Sequence, residues 1–387
     1  MLRCKVGMPV CLSDSWNGLT VRLVPAVLRR PFRDVRFAPE LPFLKDRITV
    51  QIVYYKDAVG NFGDDLNEVM WPHLLPEDVR SAPDTVLVGI GSLLDQARFR
   101  DVETKGKRVF VFGSGAAYGQ LPDDWRRWNY LAVRGPLTAA LIEQPQAAVT
   151  DSAAFLARLP ELVPPAPLRD EILFMPHHRT LVNSRWREAA ERAGLTFVDP
   201  QWTPDRILAC YARARLVVTE AMHGAIVADT LRIPWIPVMI SPEVSIFKWR
   251  DWASSLGLPY NPVALPPTAH LESFRYDRIT RLTQASGRSV AHADAAQQTD
   301  GELLEDFARR YSNEPKVIDA VQAPSGVKKL LKGAISSLDG PRVAAAVRAL
   351  RAVAAGQSFL SGDAIFAERL GQLEAARTKL VEAVRAG

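Results

Sequence analysis

The sequence predicts an α/β protein built from two parallel sheets in succession, followed by a helical extension. Three observations carry that expectation. From residue 48 onward, short runs rich in β-branched and aromatic residues alternate with helical stretches, the pattern of strands joined by crossover helices. A proline-rich stretch at 160–167 interrupts the alternation, which then resumes. Beyond residue 283 a connector at 284–300, rich in alanine, glutamine, serine and histidine, leads into a remainder that reads as helix.

The expected division is therefore a basic N-terminal extension at 1–45, a first α/β domain at 46–165, a second at 166–283, and a flexible connector with a helical tail at 284–387. A length of 387 residues suits two domains of ordinary size. With 48% hydrophobic and 24% charged residues, the composition is that of a soluble globular protein. The net charge of +5 favours acidic partners without choosing among phosphorylated metabolites, anionic lipids and nucleic acid. Nucleic acid is set aside, because the basic residues are not interleaved with stacking aromatics and no recognition motif occurs.

The extension at 1–45 has no continuous apolar core and no small-residue cleavage site, which argues against a secretory signal. No run approaches the roughly 18 apolar residues of a membrane span. Cys4, Cys11 and Cys210 are odd in number and scattered, so neither a disulfide framework nor a metal site is indicated. A cytoplasmic setting is the expectation.

In the first domain the pattern predicts strands at 48–55, 85–90, 108–113 and 130–133, and helices at 66–75 and 136–143. Pro136 suits the first position of its helix, where the missing N–H costs nothing. In the second domain it predicts strands at 172–175, 196–198, 216–219 and 235–240, with helices at 182–193, 205–213 and 224–231. Residues 259–267 read as a loop and 284–300 as a connector. The tail carries a basic segment with Lys328, Lys329, Lys332, Arg342, Arg348 and Arg351, in which Val343, Val347 and Leu350 recur at helical spacing. Phe366, Leu370, Leu373, Leu380 and Val384 follow a short heptad-like seam, suited to dimerisation or to docking on the second domain.

Ligands of open α/β sheets gather beyond the carboxyl ends of the strands, where loops feed helix N-termini. Six loops at such positions bring small or polar residues to one rim: Gly60 to Asp65, Gly89 to Ser92, Gly113 to Gly115, Arg134-Gly135, His177 to Arg179, and Glu220 to Gly224. None is a phosphate-binding P-loop, and the glycines from Gly113 onward miss the dinucleotide spacing by one residue.

His223 stands where a buried strand becomes a helix, beside Gly224, a place that core packing explains poorly and anion chemistry explains well. Glu220 is placed to orient that imidazole or to act as an acid, although a carboxylate cap or an arginine partner reads the same way. Arg134, at a strand end before a helix start, is expected to bind an anion. Of the adjacent His177 and His178, an extended chain would turn only one toward a ligand. Asp64 and Asp65 read first as caps of the helix that carries Leu66.

Taken in order, Gly60-Asn61-Phe62-Gly63-Asp64-Asp65, Val133-Arg134-Gly135-Pro136-Leu137-Thr138, Thr150-Asp151-Ser152-Ala153 and Glu220-Ala221-Met222-His223-Gly224-Ala225-Ile226 resemble the polysaccharide pyruvyl transferase family. The resemblance runs from about residue 48 to about residue 256. It implies a fold similar to GT-B glycosyltransferases, with two Rossmann-like domains facing across a cleft. It also implies transfer of pyruvate from phosphoenolpyruvate to sugar hydroxyls, usually as a cyclic ketal, with no cofactor or metal.

Many members carry an Arg-x-His pair at the last motif, and its two side chains help bind phosphoenolpyruvate. Here the first position is Ala221, so His223 carries over and the arginine does not. Arg134, Arg179 and Lys248 are the candidate replacements, with Asn61, Asp64, Gly113, Ser114 and His177 completing the expected substrate-binding set and Glu220 the catalytic one.

The chemistry needs one acid, one base and several cations: protonation of the methylene carbon develops positive charge at the central carbon, a sugar hydroxyl attacks it, and phosphate leaves. His223 suits either the proton or the phosphate. Two alternatives stand beside this reading, a GT-B-like glycosyltransferase using a nucleotide sugar and a noncatalytic sugar-binding relative. The basic helix around 342–351 would suit peripheral contact with the inner face of an anionic membrane and a lipid-linked saccharide acceptor.

Overall fold

The computed structural model describes residues 50–57, 59–99, 102–117, 119–166, 168–285, 298–312 and 337–386. The extension at 1–45, most of the connector and Lys328, Lys329 and Lys332 lie outside the described residues.

Strands β1 (Gln51–Val53), β2 (Thr85–Val88), β3 (Arg108–Ser114) and β4 (Asn129–Val133) form a parallel sheet in chain order. Strands β5 (Glu171–Met175), β6 (Thr196–Phe197), β7 (Ala214–Thr219), β8 (Trp235–Met239) and β9 (Val263–Ala264) form a second parallel sheet in the order β6-β5-β7-β8-β9. Apolar runs such as Val86-Leu87-Val88, buried throughout, are what a sheet covered on both faces requires. The short β9 falls within the stretch expected to be loop, because its two residues are exposed at the sheet edge and carry no burial pattern.

Twelve described helices accompany the strands: α1 (Phe62–Leu74), α2 (Glu77–Arg80), α3 (Gln96–Phe99), α4 (Pro136–Leu141), α5 (Trp186–Ala193), α6 (Pro204–Ala212), α7 (Met222–Thr230), α8 (Ile246–Ser255), α9 (His270–Ala285), α10 (Asp300–Ser312), α11 (Gly340–Ala354) and α12 (Asp363–Arg385). Helix α1 starts four residues before the expected position, with Asn61 extended at φ −150° as its N-cap. Helix α5 starts late. A 3-10 turn at His178–Leu181 runs up to the expected start, and a left-handed Asn183 (φ 60°) falls just inside it.

In the second sheet the chain passes from β5 to β6 on one side, then crosses to β7 on the other. That reversal, beyond the carboxyl ends of β5 and β7, is the switch point at which open α/β sheets hold their binding crevice. Alternation sorts the side chains of these strands. Leu173, Met175, Val217 and Trp235 join a core that also holds residues of β1 to β4. Phe174, Leu216, Val218 and Ile236 point the other way, into a core shared with α5 and α11.

The tail departs from its expected role. Val343, Val347 and Leu350 of α11 are buried in that second core, so the apolar stripe of this basic helix packs against protein. Leu370, Leu373, Leu380 and Val384 of α12 are buried against the first core, and α12 lies on β4 and on a 3-10 turn at Ser152–Arg158. The seam thus docks on the first sheet rather than on the second domain. Arg108 secures it by donating to the carbonyls of Ala383 (2.6 Å) and Val384 (3.2 Å). Between α11 and α12, Phe359 pairs antiparallel with Trp235 of β8. No helix among the described residues is long and apolar enough to cross a membrane.

Candidate functional site

The turn from β7 into α7 is fixed by close packing. The Thr219 hydroxyl accepts the Ala221 N–H at 3.0 Å, and a Cβ on Gly224 would overlap that same oxygen. The Tyr211 hydroxyl donates to the Gly224 carbonyl at 2.9 Å. Glycine at 224 therefore lets α7 sit tight on its strand, with His223 in the first turn.

The His223 side chain is 12% exposed and lies against Gly63, whose missing Cβ would otherwise overlap the ring. Its Nε2 is sealed from solvent and accepts or donates no hydrogen bond. Facing it at 3.6 Å is Oδ2 of Asp151, equally sealed and equally unpartnered. The other Asp151 oxygen accepts the Ala153 N–H at 2.9 Å and caps the Ser152–Arg158 turn.

Gly63 belongs to the first turn of α1, so α1 and α7 meet at their N-terminal ends. The Phe62 N–H donates across to the Pro200 carbonyl at 2.9 Å, and a Cβ on the left-handed Gly60 (φ +92°) would run into the Gln201 carbonyl. The expected capping role falls to Asp65, which accepts the Asn61 N–H at 3.0 Å. Asp64 instead accepts from the Asn61 side-chain amide and reaches toward Gly91. Burial pushes its carboxyl up, against the opposing pull of His223, Arg98 and Lys248. Asn67 ties this end of α1 to the β2 rim, donating to the Ile90 carbonyl (2.9 Å) and accepting the Ile90 N–H (2.8 Å).

Glu220 does not face the imidazole. It is 1% exposed, and its carboxylate accepts four hydrogen bonds: from the N–H groups of Ile240 (2.9 Å), Ser241 (2.7 Å) and His177 (3.0 Å) and from the Thr180 hydroxyl (2.6 Å). Burial raises its carboxyl, and these donors pull it back. Every lone-pair direction is thus engaged, and the expected catalytic role is replaced by that of a clamp on the loops after β5 and β8.

The two adjacent histidines also differ from expectation. Because His178 opens a 3-10 turn instead of continuing the strand, both rings turn the same way and pack with centroids 4.2 Å apart. Burial and then the neighbouring His178 hold the His177 imidazole well below its ordinary value, with Arg179, Lys248 and Arg275 acting in the same sense. His178 is pushed down to about 4 by burial and by Arg179, with Lys248 and Arg275 adding to the effect and Asp57 opposing it. Arg179 and Arg275 are both paired to Glu243, the first at 3.1 Å. Lys248 acts on Asp64 as well as on both histidines, so one cation serves the rims of both sheets.

Arg134 is corrected. It is fully buried, and its guanidinium donates to Asp251 (3.0 Å), the Ser92 hydroxyl (2.8 Å) and the Ala116 carbonyl (2.7 Å). That commitment leaves it a bracket between α4 and α8. Ser114 is likewise buried, donating to the Gly91 carbonyl at 3.0 Å, while Gly113 (φ +76°) allows Ser152 to pack against the backbone. These two shape the rim from behind it.

The structure therefore gathers His223, Asp64, Lys248, His177, His178 and Arg179 about the crevice, with Asn61 beside Asp64. Sequence reasoning assigned no role to Asp151, Gly63, Asp251 or Arg275. Asp151 and Gly63 were in view within motifs, whereas Arg275 lies on a helix the sequence did not announce. Among the described residues no group of three or more His, Cys, Asp or Glu side chains is placed to hold a metal ion.

Comparison with known proteins adds three findings. A family model described as polysaccharide pyruvyl transferase matches residues 61–242, which contain both helix ends that meet at His223. The succinoglycan biosynthesis protein ExoV of Rhizobium meliloti (strain 1021) is 37% identical over 223 residues, 57% of this chain and 69% of that protein. No solved structure matches.

Proposed function

Because this chain belongs to the polysaccharide pyruvyl transferase family, we propose that it transfers pyruvate from phosphoenolpyruvate to two hydroxyls of a saccharide, forming a ketal and releasing phosphate. The similarity to a succinoglycan biosynthesis protein supports an exopolysaccharide intermediate as acceptor, and the meeting of α1 and α7 at Gly63 and His223 supports a GT-B-like cleft as its seat.

One observation carries the reading: His223 is held against Gly63 at the meeting of two helix N-termini, beside a rim of cations and neutral imidazoles. Helix N-termini and cations are the environment a phosphorylated carboxylic acid requires. With Ala221 in place of the family's arginine and Arg134 sealed, the anion grip falls to Lys248, Arg179 and Arg275. His223 moves the proton. In the addition one hydroxyl loses its proton and the methylene carbon gains one; the second hydroxyl then displaces phosphate at the same carbon, and its proton leaves with the phosphate.

The test is phosphate release from phosphoenolpyruvate with a candidate oligosaccharide acceptor, paired with mass spectrometry of the product. His223→Ala is expected to abolish release while melting like the wild type. Near wild-type transfer by that variant would refute the assignment. Stabilisation by nucleotide sugars and not by phosphoenolpyruvate would favour a glycosyltransferase instead.

A further inference from the structure

His223 Nε2 and Asp151 Oδ2 are both buried polar atoms with no hydrogen-bond partner, and they face each other at 3.6 Å. Leaving such an atom unsatisfied is costly, and two that face each other relieve the cost by closing a few tenths of an ångström. Asp151 is 0% exposed and anchored, since its Oδ1 is spent on the Ala153 N–H that opens the Ser152–Arg158 turn. Its free oxygen cannot swing elsewhere. The His223 side chain keeps 12% exposure although Nε2 is sealed, so the ring meets the crevice through its other edge.

We propose that Asp151 is a positioning residue that fixes the tautomer of His223, accepting a hydrogen bond from Nε2–H and leaving Nδ1 as the nitrogen offered to the substrate. The ring, carried on α7, is held by Asp151 at Nε2 and by Gly63 of α1 against it. The charged groups facing it are Asp151 from the 3-10 turn and Asp64 from α1, with Lys248 of α8 acting on Asp64. An acceptor opposite one imidazole nitrogen sets which nitrogen carries the proton, and a wrong tautomer leaves the geometry intact while removing the proton-accepting lone pair. The assignment of Nδ1 to the substrate rests on the functional reading above; the tautomer itself does not.

The test uses the whole chain labelled with nitrogen-15 histidine, without substrate, and the His223 signals are identified by their loss in His223→Ala. In its neutral form the wild-type ring is expected to carry its proton on Nε2 and to leave Nδ1 unprotonated. In Asp151→Asn the side-chain carbonyl keeps the cap at Ala153, so the amide donor faces Nε2 and the tautomer is expected to invert. With phosphoenolpyruvate and acceptor, that variant is expected to lose at least about a hundredfold in kcat with KM nearly unchanged. A wild-type ring protonated at Nδ1 overturns the inference even if the variant does not fold, and so does an unchanged tautomer in a folded Asp151→Asn. Failure of phosphoenolpyruvate as donor would sink the functional reading and leave the tautomer result standing.

Discussion

Arg134 and Asp251, 117 positions apart in sequence, face each other with both side chains wholly shielded from water, and Arg134 Nε donates to Asp251 Oδ2 at 3.0 Å. Asp251 is held in turn by the N–H and hydroxyl of Thr138, at 2.9 and 2.6 Å. A buried pair of this kind is costly to break from one side, because the survivor remains charged without a partner.

Arg134→Ala is therefore expected to cost about 3–5 kcal/mol of stability, with Arg134→Lys recovering little because a point charge cannot make the forked contacts. Urea titration measures it. At a temperature where the Ala variant is folded, calorimetry should find phosphoenolpyruvate binding close to wild type; a large loss of affinity with unchanged stability would return Arg134 to the anion site.

Gly63→Ala adds one methyl group where the His223 ring lies. The helix backbone of α1 is pinned by Pro200 and Asn67, so the imidazole must give way. Displacement by an ångström is expected to lower kcat about a hundredfold, with a melting temperature within a few degrees of wild type. Equal turnover would mean that the ring's seat has no bearing on catalysis.

His178 titrates in the folded protein near 4, below its ordinary value of 6.5. The folded state thus binds fewer protons than the unfolded chain between those values, so this group's contribution to stability is full above pH 6.5 and is lost as pH falls toward 4. His178→Gln is expected to flatten the stability profile across that window. An identical acid limb in the two proteins would contradict the placement of the ring among cations.

Removing everything from residue 337 onward would expose the surfaces now covered by eight buried leucines and valines of α11 and α12. At about 1.5–3 kcal/mol each, their loss matches or exceeds the roughly 5–15 kcal/mol that holds a typical domain folded. The truncated chain is expected to pellet on centrifugation. A soluble product with a cooperative melt would show that the tail is dispensable.

Hydrophobic periodicity revealed eight of the nine described strands, because fully buried parallel strands leave long apolar runs in sequence. It revealed neither α8 nor α9. Their buried positions include Asp251, Ser255 and Glu272, polar residues that spoil the apolar stripe yet are satisfied by partners far along the chain. The same limitation governs the site. A sealed arginine and a surface arginine look alike in sequence, and Arg134 owes its buried charge partner to Asp251, which the chain brings back after more than a hundred residues. Glu220 misleads for a related reason, since its four donors come from two segments, 177–180 and 240–241, far apart in the chain. His223 was legible because a polar ring beside a glycine at a strand-to-helix turn has few purely structural explanations.

Helix α12 lies on β4 and on the turn that carries Asp151, yet it is made from residues 363–385. A ribosome delivers that cover only after more than two hundred residues have followed β4 into the exit tunnel. The first sheet must consequently emerge with an apolar flank bare, and Asp151 reaches its final surroundings only once residues 363–385 have been made.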